Sequence, residues 1–152
     1  MPYEKIGEGE PVCIADEVPF EIPESWEWVR LGNLVSIFGR IGYRGYTKED
    51  MVEKGQGAIT ISPSNILANG KTSFNECSYI SWDKYEESPE IMIFEGDIIL
   101  VKTGSSYGKC AMVAGLPEKA TINPQLVVLK NCLCDVTFLD YILKSSLSRN
   151  QY

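Results

Sequence analysis

The sequence predicts an α+β fold dominated by strands, built as a twisted sheet or a partly open barrel with short helices and one C-terminal helix. Three observations carry that expectation. β-Branched runs such as Ala58-Ile59-Thr60-Ile61 and Ile98-Ile99-Leu100-Val101 recur along the chain. Turn signals stand between them, among them Asn69-Gly70 and Glu95-Gly96-Asp97. Helical spacing is sustained near the end, where Phe138, Leu139, Ile142, Leu143 and Leu147 fall on one face.

Taken in order, residues 1–18 carry Glu, Gly and Pro with little periodicity and read as an arm or linker, so the domain proper is expected over residues 19–152. Trp26-Glu27-Trp28-Val29-Arg30-Leu31 alternates apolar and polar residues, the period of a half-buried strand. Gly32-Asn33 then opens a short helix, Leu34 to Phe38, which Gly39 ends. Residues 39–57 form a polar, Gly-containing loop of a length uncommon without a function. Ala58 to Ile61 is a strand stopped by Ser62-Pro63, and Asn69-Gly70 is a tight turn. Cys77 to Ser81 is a strand, followed by an acidic turn from Asp83 to Pro89. Ile98 to Thr103 reads as a central strand, Lys109 to Val113 and Gln125 to Leu129 as further strands, and Thr137 to Arg149 as the amphipathic helix.

A chain of 152 residues is the length of one domain and buries roughly 70% of its unfolded surface. Its 44% hydrophobic and 23% charged residues are those of an ordinary folded protein. The longest apolar run is interrupted at Glu95-Gly96-Asp97, short of the ~20 residues of a membrane span. The start, Met1-Pro2-Tyr3-Glu4-Lys5, is polar and acidic and predicts no signal peptide, hence a cytoplasmic chain.

Histidine is absent, which removes Ser-His-Asp and Cys-His nucleophiles, imidazole general bases and His-ligated metals. The 5 cysteines follow no repeated metal-binding spacing, and Cys132-x-Cys134 alone cannot build a tetrahedral zinc site, so reduced thiols packed as small hydrophobes are expected. Glu95 and Asp97 are bracketed by a turn, which points to a structural role rather than an acid/base pair. Asn123-Pro124-Gln125-Leu126 lacks the second proline and the aromatic residue of an amino-methyltransferase motif, and no glycine-rich strand-to-helix turn is present for a methyl donor. Neither catalysis nor a cofactor is called for.

The net charge of -7 argues weakly against nucleic acid, yet the signs are segregated. Residues 1–30 hold 8 acidic and 2 basic groups, and residues 76–100 hold 7 acidic and 1 basic. The basic excess lies in 31–75, with 5 basic against 3 acidic, and in 101–152, with 6 against 3. A fold that joins those two stretches on one face makes that face basic; a scattered mixed-charge surface is the plain alternative.

Thr103-Gly104-Ser105-Ser106-Tyr107-Gly108-Lys109 resembles a phosphate loop only superficially. Three residues lie between its glycines rather than four, Lys109 is followed by Cys110 instead of Ser or Thr, and a strand follows where a helix must open. The loop nonetheless offers backbone N–H groups, hydroxyls, a ring and the ammonium groups of Lys102 and Lys109, a set that suits a nucleic-acid backbone; a tight hairpin is the alternative. Arg40, Tyr43, Arg44, Tyr46 and Lys48 lie on the earlier Gly-spaced loop, where Arg can bond guanine edges and Tyr can stack; a solvated loop capped by its tyrosines is the alternative there.

Pro19-Phe20-Glu21-Ile22-Pro23-Glu24-Ser25-Trp26-Glu27-Trp28-Val29-Arg30-Leu31-Gly32 and the segment Gly96 to Lys109, with Ala120-Thr121-Ile122-Asn123-Pro124-Gln125-Leu126 and Phe138 to Ser145, stand in an order that resembles the target recognition domain of type I restriction-modification specificity subunits. The resemblance implies a reader of one half of a bipartite site on double-stranded DNA, working with separate methylation and restriction subunits that carry the catalysis. In that family two such domains are joined by long helices. This chain holds one and stops within or just after its final helix, so it looks like an excised domain or a truncated gene product.

The expected DNA-binding residues are Arg40, Tyr43, Arg44, Tyr46, Lys48, Lys102, Thr103, Ser105, Ser106, Tyr107 and Lys109, with Ser62, Ser64 and Asn65 after the intervening strand. Lys anchors phosphates, while Arg and Asn match guanine and adenine edges. A competing reading is an acidic protein-interaction module that touches no DNA.

Overall fold

The computed structural model describes residues 2–151 and divides into two compact units, Met1–Leu31 and Gly32–Tyr152. In the first, β1 (Tyr3–Glu4) pairs antiparallel with β2 (Val12–Cys13). Arg30 binds both Glu4 and Glu17, at 2.8 and 2.7 Å. Phe20 meets Trp28 edge-on, with ring centroids 5.1 Å apart.

The strand expected over Trp26–Leu31 does not form. Those residues find no strand partner, and the alternation instead reflects Trp28 turned to Phe20 while Trp26 and Val29 face solvent. One helical turn follows, α1 (Leu31–Leu34). The helix expected from Leu34 to Phe38 is replaced by a strand, β3 (Ser36–Gly39). Here pairing decides: Ile37 and Phe38 stand opposite Leu129 and Val128, and a partner strand overrides the weak preferences of a five-residue stretch.

The long loop after β3 contains 3-10 turns at 42–44 and 48–50, then β4 (Met51–Val52). β5 (Gly57–Ile61) is buried throughout, as its apolar run predicts. β6 (Ser78–Ser81) follows the Gly70 turn, where φ is 76°. The expected acidic turn is a helical one, α2 (Trp82–Glu86), with the Ser81 hydroxyl accepting from Lys84 N–H. Then come β7 (Ile98–Val101), β8 (Cys110–Met112), β9 (Ala120–Ile122) and β10 (Leu126–Lys130). The C-terminal helix is broken: α3 (Val136–Lys144) ends where Ser145 adopts an extended ψ of 155° and its hydroxyl accepts from Ser148 N–H, starting α4 (Ser146–Arg149).

Two four-stranded sheets result. One is antiparallel in the order β3-β10-β7-β8, and the expected central position of β7 is met. The other runs β4-β6-β5-β9, with β5 and β9 parallel. Their inner faces share one core, including Ile59, Ile61, Ile99, Val101, Ile122, Leu126 and Val128. Each fully buried aliphatic side chain there contributes roughly 1.5–3 kcal/mol. The α+β, strand-rich architecture is the expected one, and neither sheet closes into a barrel.

Candidate nucleic-acid interface

Register places the loops that matter. In the antiparallel sheet Gly39 lies opposite Val127, Leu126 opposite Val101, and Leu100 opposite Cys110. The end of β3, the end of β7, and the starts of β8 and β10 therefore share one edge of the sheet. In the other sheet Ile61 stands beside Ile122, and Asn123 N–H donates to Ile61 O at 2.8 Å, so the segments after β5 and β9 leave together. The loops 40–50, 62–65, 102–109 and 123–125 thus emerge at a common end.

Three of these loops meet. Ser62, Pro63 and Ser64, Ser105 and Ser106, and Gln125 line an open depression of about 270 Å³. Its walls carry hydroxyls and one amide, without a charged side chain. Ser62 and Ser64 hydroxyls lie 2.7 Å apart. The 103–109 segment is indeed a hairpin loop, since β7 and β8 pair, and its shape is set locally. Gly104 has φ 93°, Tyr107 N–H donates to Gly104 O at 3.2 Å, and Lys109 N–H to Ser106 O at 3.1 Å. Thr103 and Ser105 are exposed, and Tyr107 is 53% exposed. The chain then enters β8, which agrees with rejecting a phosphate loop.

Gln125 is a residue that the expected set lacks. Asn123 opens an Asx turn, its Oδ1 accepting from Gln125 N–H at 2.9 Å, while Asn123 Nδ2 donates to Gln125 Oε1 at 3.3 Å. The amide is thereby oriented with Nε2 toward Gly104; a Cβ on Gly104 would stand 2.9 Å from it. The Asn-Pro dipeptide was the available signal, because it marks a turn with a directed side chain. Gln125 O also accepts from Lys102 N–H at 2.8 Å.

The cations divide into two groups. Lys102 and Lys48 are exposed and Lys109 is half-buried, and none of the three makes an ion pair among the described residues. Arg44 is partly engaged: Nη1 lies 3.3 Å from Glu90 Oε1 and the guanidinium covers the Tyr43 ring, itself 78% exposed.

Arg40 and Asn65 depart from the expected outward role. Arg40 is 5% exposed. Its guanidinium donates to Ile122 O from Nε and Nη2 at 3.3 and 3.2 Å, to Thr121 Oγ1 at 3.2 Å and to Arg44 O at 3.3 Å. Burial lowers its pKa, opposed by the electrostatic influence of Tyr46, whose ring it covers at 5.1 Å. Tyr46 in turn bonds its hydroxyl to Thr60 Oγ1 at 2.9 Å. Asn65 Oδ1 accepts from Ser62 N–H at 3.0 Å, and Nδ2 donates to Ser73 O and Glu76 O at 2.9 and 3.1 Å. With their polar atoms satisfied inside the protein, Arg40, Tyr46 and Asn65 fasten the loops that carry the outward residues.

No family model matches the chain. In sequence it is 29% identical over 103 residues, 64% of its length, to the type I restriction enzyme EcoAI specificity subunit of Escherichia coli, and the match spans 16% of that protein. In fold it is similar to a chain of the type I R-M system, solved in work on that system's complex assembly and conformational transition. The TM-score is 0.63 at 17% identity, covering 88% of this chain and 32% of the other. The HsdS subunit from Thermoanaerobacter tengcongensis gives a TM-score of 0.60 at 17% identity, covering 82% of this chain and 28% of that one. Sequence and fold thus bear out the resemblance carried by the four motifs: the chain is similar to a target recognition domain of type I restriction-modification specificity subunits.

Proposed function

We propose that the chain reads one half of a bipartite target on double-stranded DNA for a type I restriction-modification complex whose methylation and restriction subunits perform the chemistry. The reading domain is residues 19–152, with 1–18 as a leading arm. One observation carries the reading: three loops from the same end of two sheets converge on a neutral, hydroxyl-lined depression, and Lys48, Lys102 and Lys109, without an ion pair among the described residues, stand on the same loop set. A charge-free slot suits base edges, while exposed ammonium groups suit phosphates.

In this arrangement Lys48, Lys102 and Lys109 anchor the backbone, helped by Thr103 and Tyr107. Arg44, Tyr43, Ser62, Ser64, Ser105 and Ser106 reach toward bases, and Gln125 joins them. The competing protein-docking reading draws on the acidic stretches 1–30 and 76–100, but of the 7 acidic groups in the second, 4 are engaged internally. Glu90 meets Arg44, Glu87 meets Lys84, Asp97 meets Lys130, and Glu95 accepts from Gly115 and Leu116 N–H.

Salt separates the two readings. A specificity subunit carrying this domain should lose DNA affinity steeply as salt rises, with a log–log slope of about -0.9 per phosphate contact. An affinity nearly independent of salt overturns the DNA reading.

A further inference from the structure

We propose that Cys132 and Cys134 form a dithiol modification site for small-molecule disulfides, closing to an internal disulfide across one intervening residue. The site lies between β10 and α3, at the opposite end of β10 from the candidate DNA surface, and does not depend on the DNA reading. Asn131 turns the chain there with φ 53°, a left-handed conformation that Asn tolerates better than most residues. Its side chain donates to Ser36 Oγ at 3.3 Å, and Leu133 N–H donates to Leu34 O at 2.9 Å. Cys132 is thus pinned on both sides, and its sulfur lies 3.5 Å from that of Cys134.

A disulfide has S–S of about 2.05 Å, so each sulfur moves by less than ~1 Å to reach it. Both thiols are part-exposed and Leu133 between them is 78% exposed, so a reagent has access. Partial burial and then the neighbouring Cys132 thiol push the Cys134 thiol up. Since the thiolate is the nucleophile, closure quickens as pH rises. The other cysteines differ. Cys110 is buried, with burial pushing its thiol up to about 11, Cys77 donates to Phe74 O, and Cys13 is exposed.

The chemistry balances in two exchanges. One cysteine thiolate attacks the reagent R–S–S–R, forming a mixed disulfide and releasing R–S⁻, which takes up the proton lost by the cysteine. The second cysteine, deprotonated, attacks the protein sulfur of the mixed disulfide and expels the second R–S⁻, which is protonated likewise. Two protein thiols are oxidised and one R–S–S–R is reduced to two R–SH.

The test treats the full chain with oxidised glutathione, quenches in acid and maps the peptides by mass. The peptide holding both cysteines should lose two hydrogen atoms and carry no glutathione, while Cys13 stops at the glutathione adduct. In Cys134→Ser the adduct should instead persist on Cys132. A wild-type peptide that retains glutathione, or stays unmodified while Cys13 reacts, overturns the proposal.

Discussion

Arg40 and Arg44 are four residues apart in one loop, yet Arg40 is buried and Arg44 part-exposed, and their partners say why. Arg40 answers the carbonyl of Ile122 and the hydroxyl of Thr121 at the end of β9, so it ties the loop to the second sheet. Arg40→Ala should cost about 2–3 kcal/mol in urea unfolding, through lost charged hydrogen bonds and an orphaned buried carbonyl. Base preference in a subunit carrying the variant should not change. A changed preference at full stability contradicts the fastening role. Arg44 is half-exposed and held by one carboxylate. Arg44→Ala should cost ~1–3 kcal/mol in DNA affinity and relax specificity at one position. Equal weakening on every sequence assigns Arg44 to phosphate. The residue types were legible in the sequence, whereas their directions were not, because each direction depends on a partner some 46 or 82 positions away.

At the scale of elements, the buried strands were the readable ones. β5 and β7 are mostly β-branched, apolar runs with no polar interruption beyond Thr60, and they form where the pattern puts them. β3 and α2 were misread because each spans only four or five residues, and such pieces follow their neighbours. β3 exists because β10 pairs with it, and α2 because Ser81 caps it. β9, three residues long, was recognisable only as part of the family-like Ala120–Leu126 motif. Gly57 marks how close the strands come. A Cβ there would stand 1.9 Å from Ile80 O, inside the β5–β6 ladder. Gly57→Ala should therefore cost about 3 kcal/mol by overpacking, seen as a lower urea midpoint at unchanged slope. An unchanged midpoint contradicts the tight pairing.

Across the whole molecule, charge segregation in the sequence now has a structural counterpart. The acidic 76–100 stretch is spent largely on internal partners, Asp97 with Lys130 and Glu90 with Arg44 among them. Lys48, Lys102 and Lys109, which make no ion pair among the described residues, sit on the loops at the common end of the sheets, whereas Lys54, Lys71 and Lys119 lie elsewhere. The meeting of Ser62 and Ser64 with Ser105 and Ser106 was not legible, since it follows from the parallel pairing of β5 with β9 and the position of β10 in the other sheet. Those loops, held on two rigid sheets, are what the account assigns to sequence reading. The direct measurement is to graft residues 19–145 in place of one recognition domain of a full type I specificity subunit, assemble it with its methylation subunits, and map the methylated adenines. The account predicts a new half-site in the motif, with the other half kept; an active complex that methylates the unchanged original motif contradicts it.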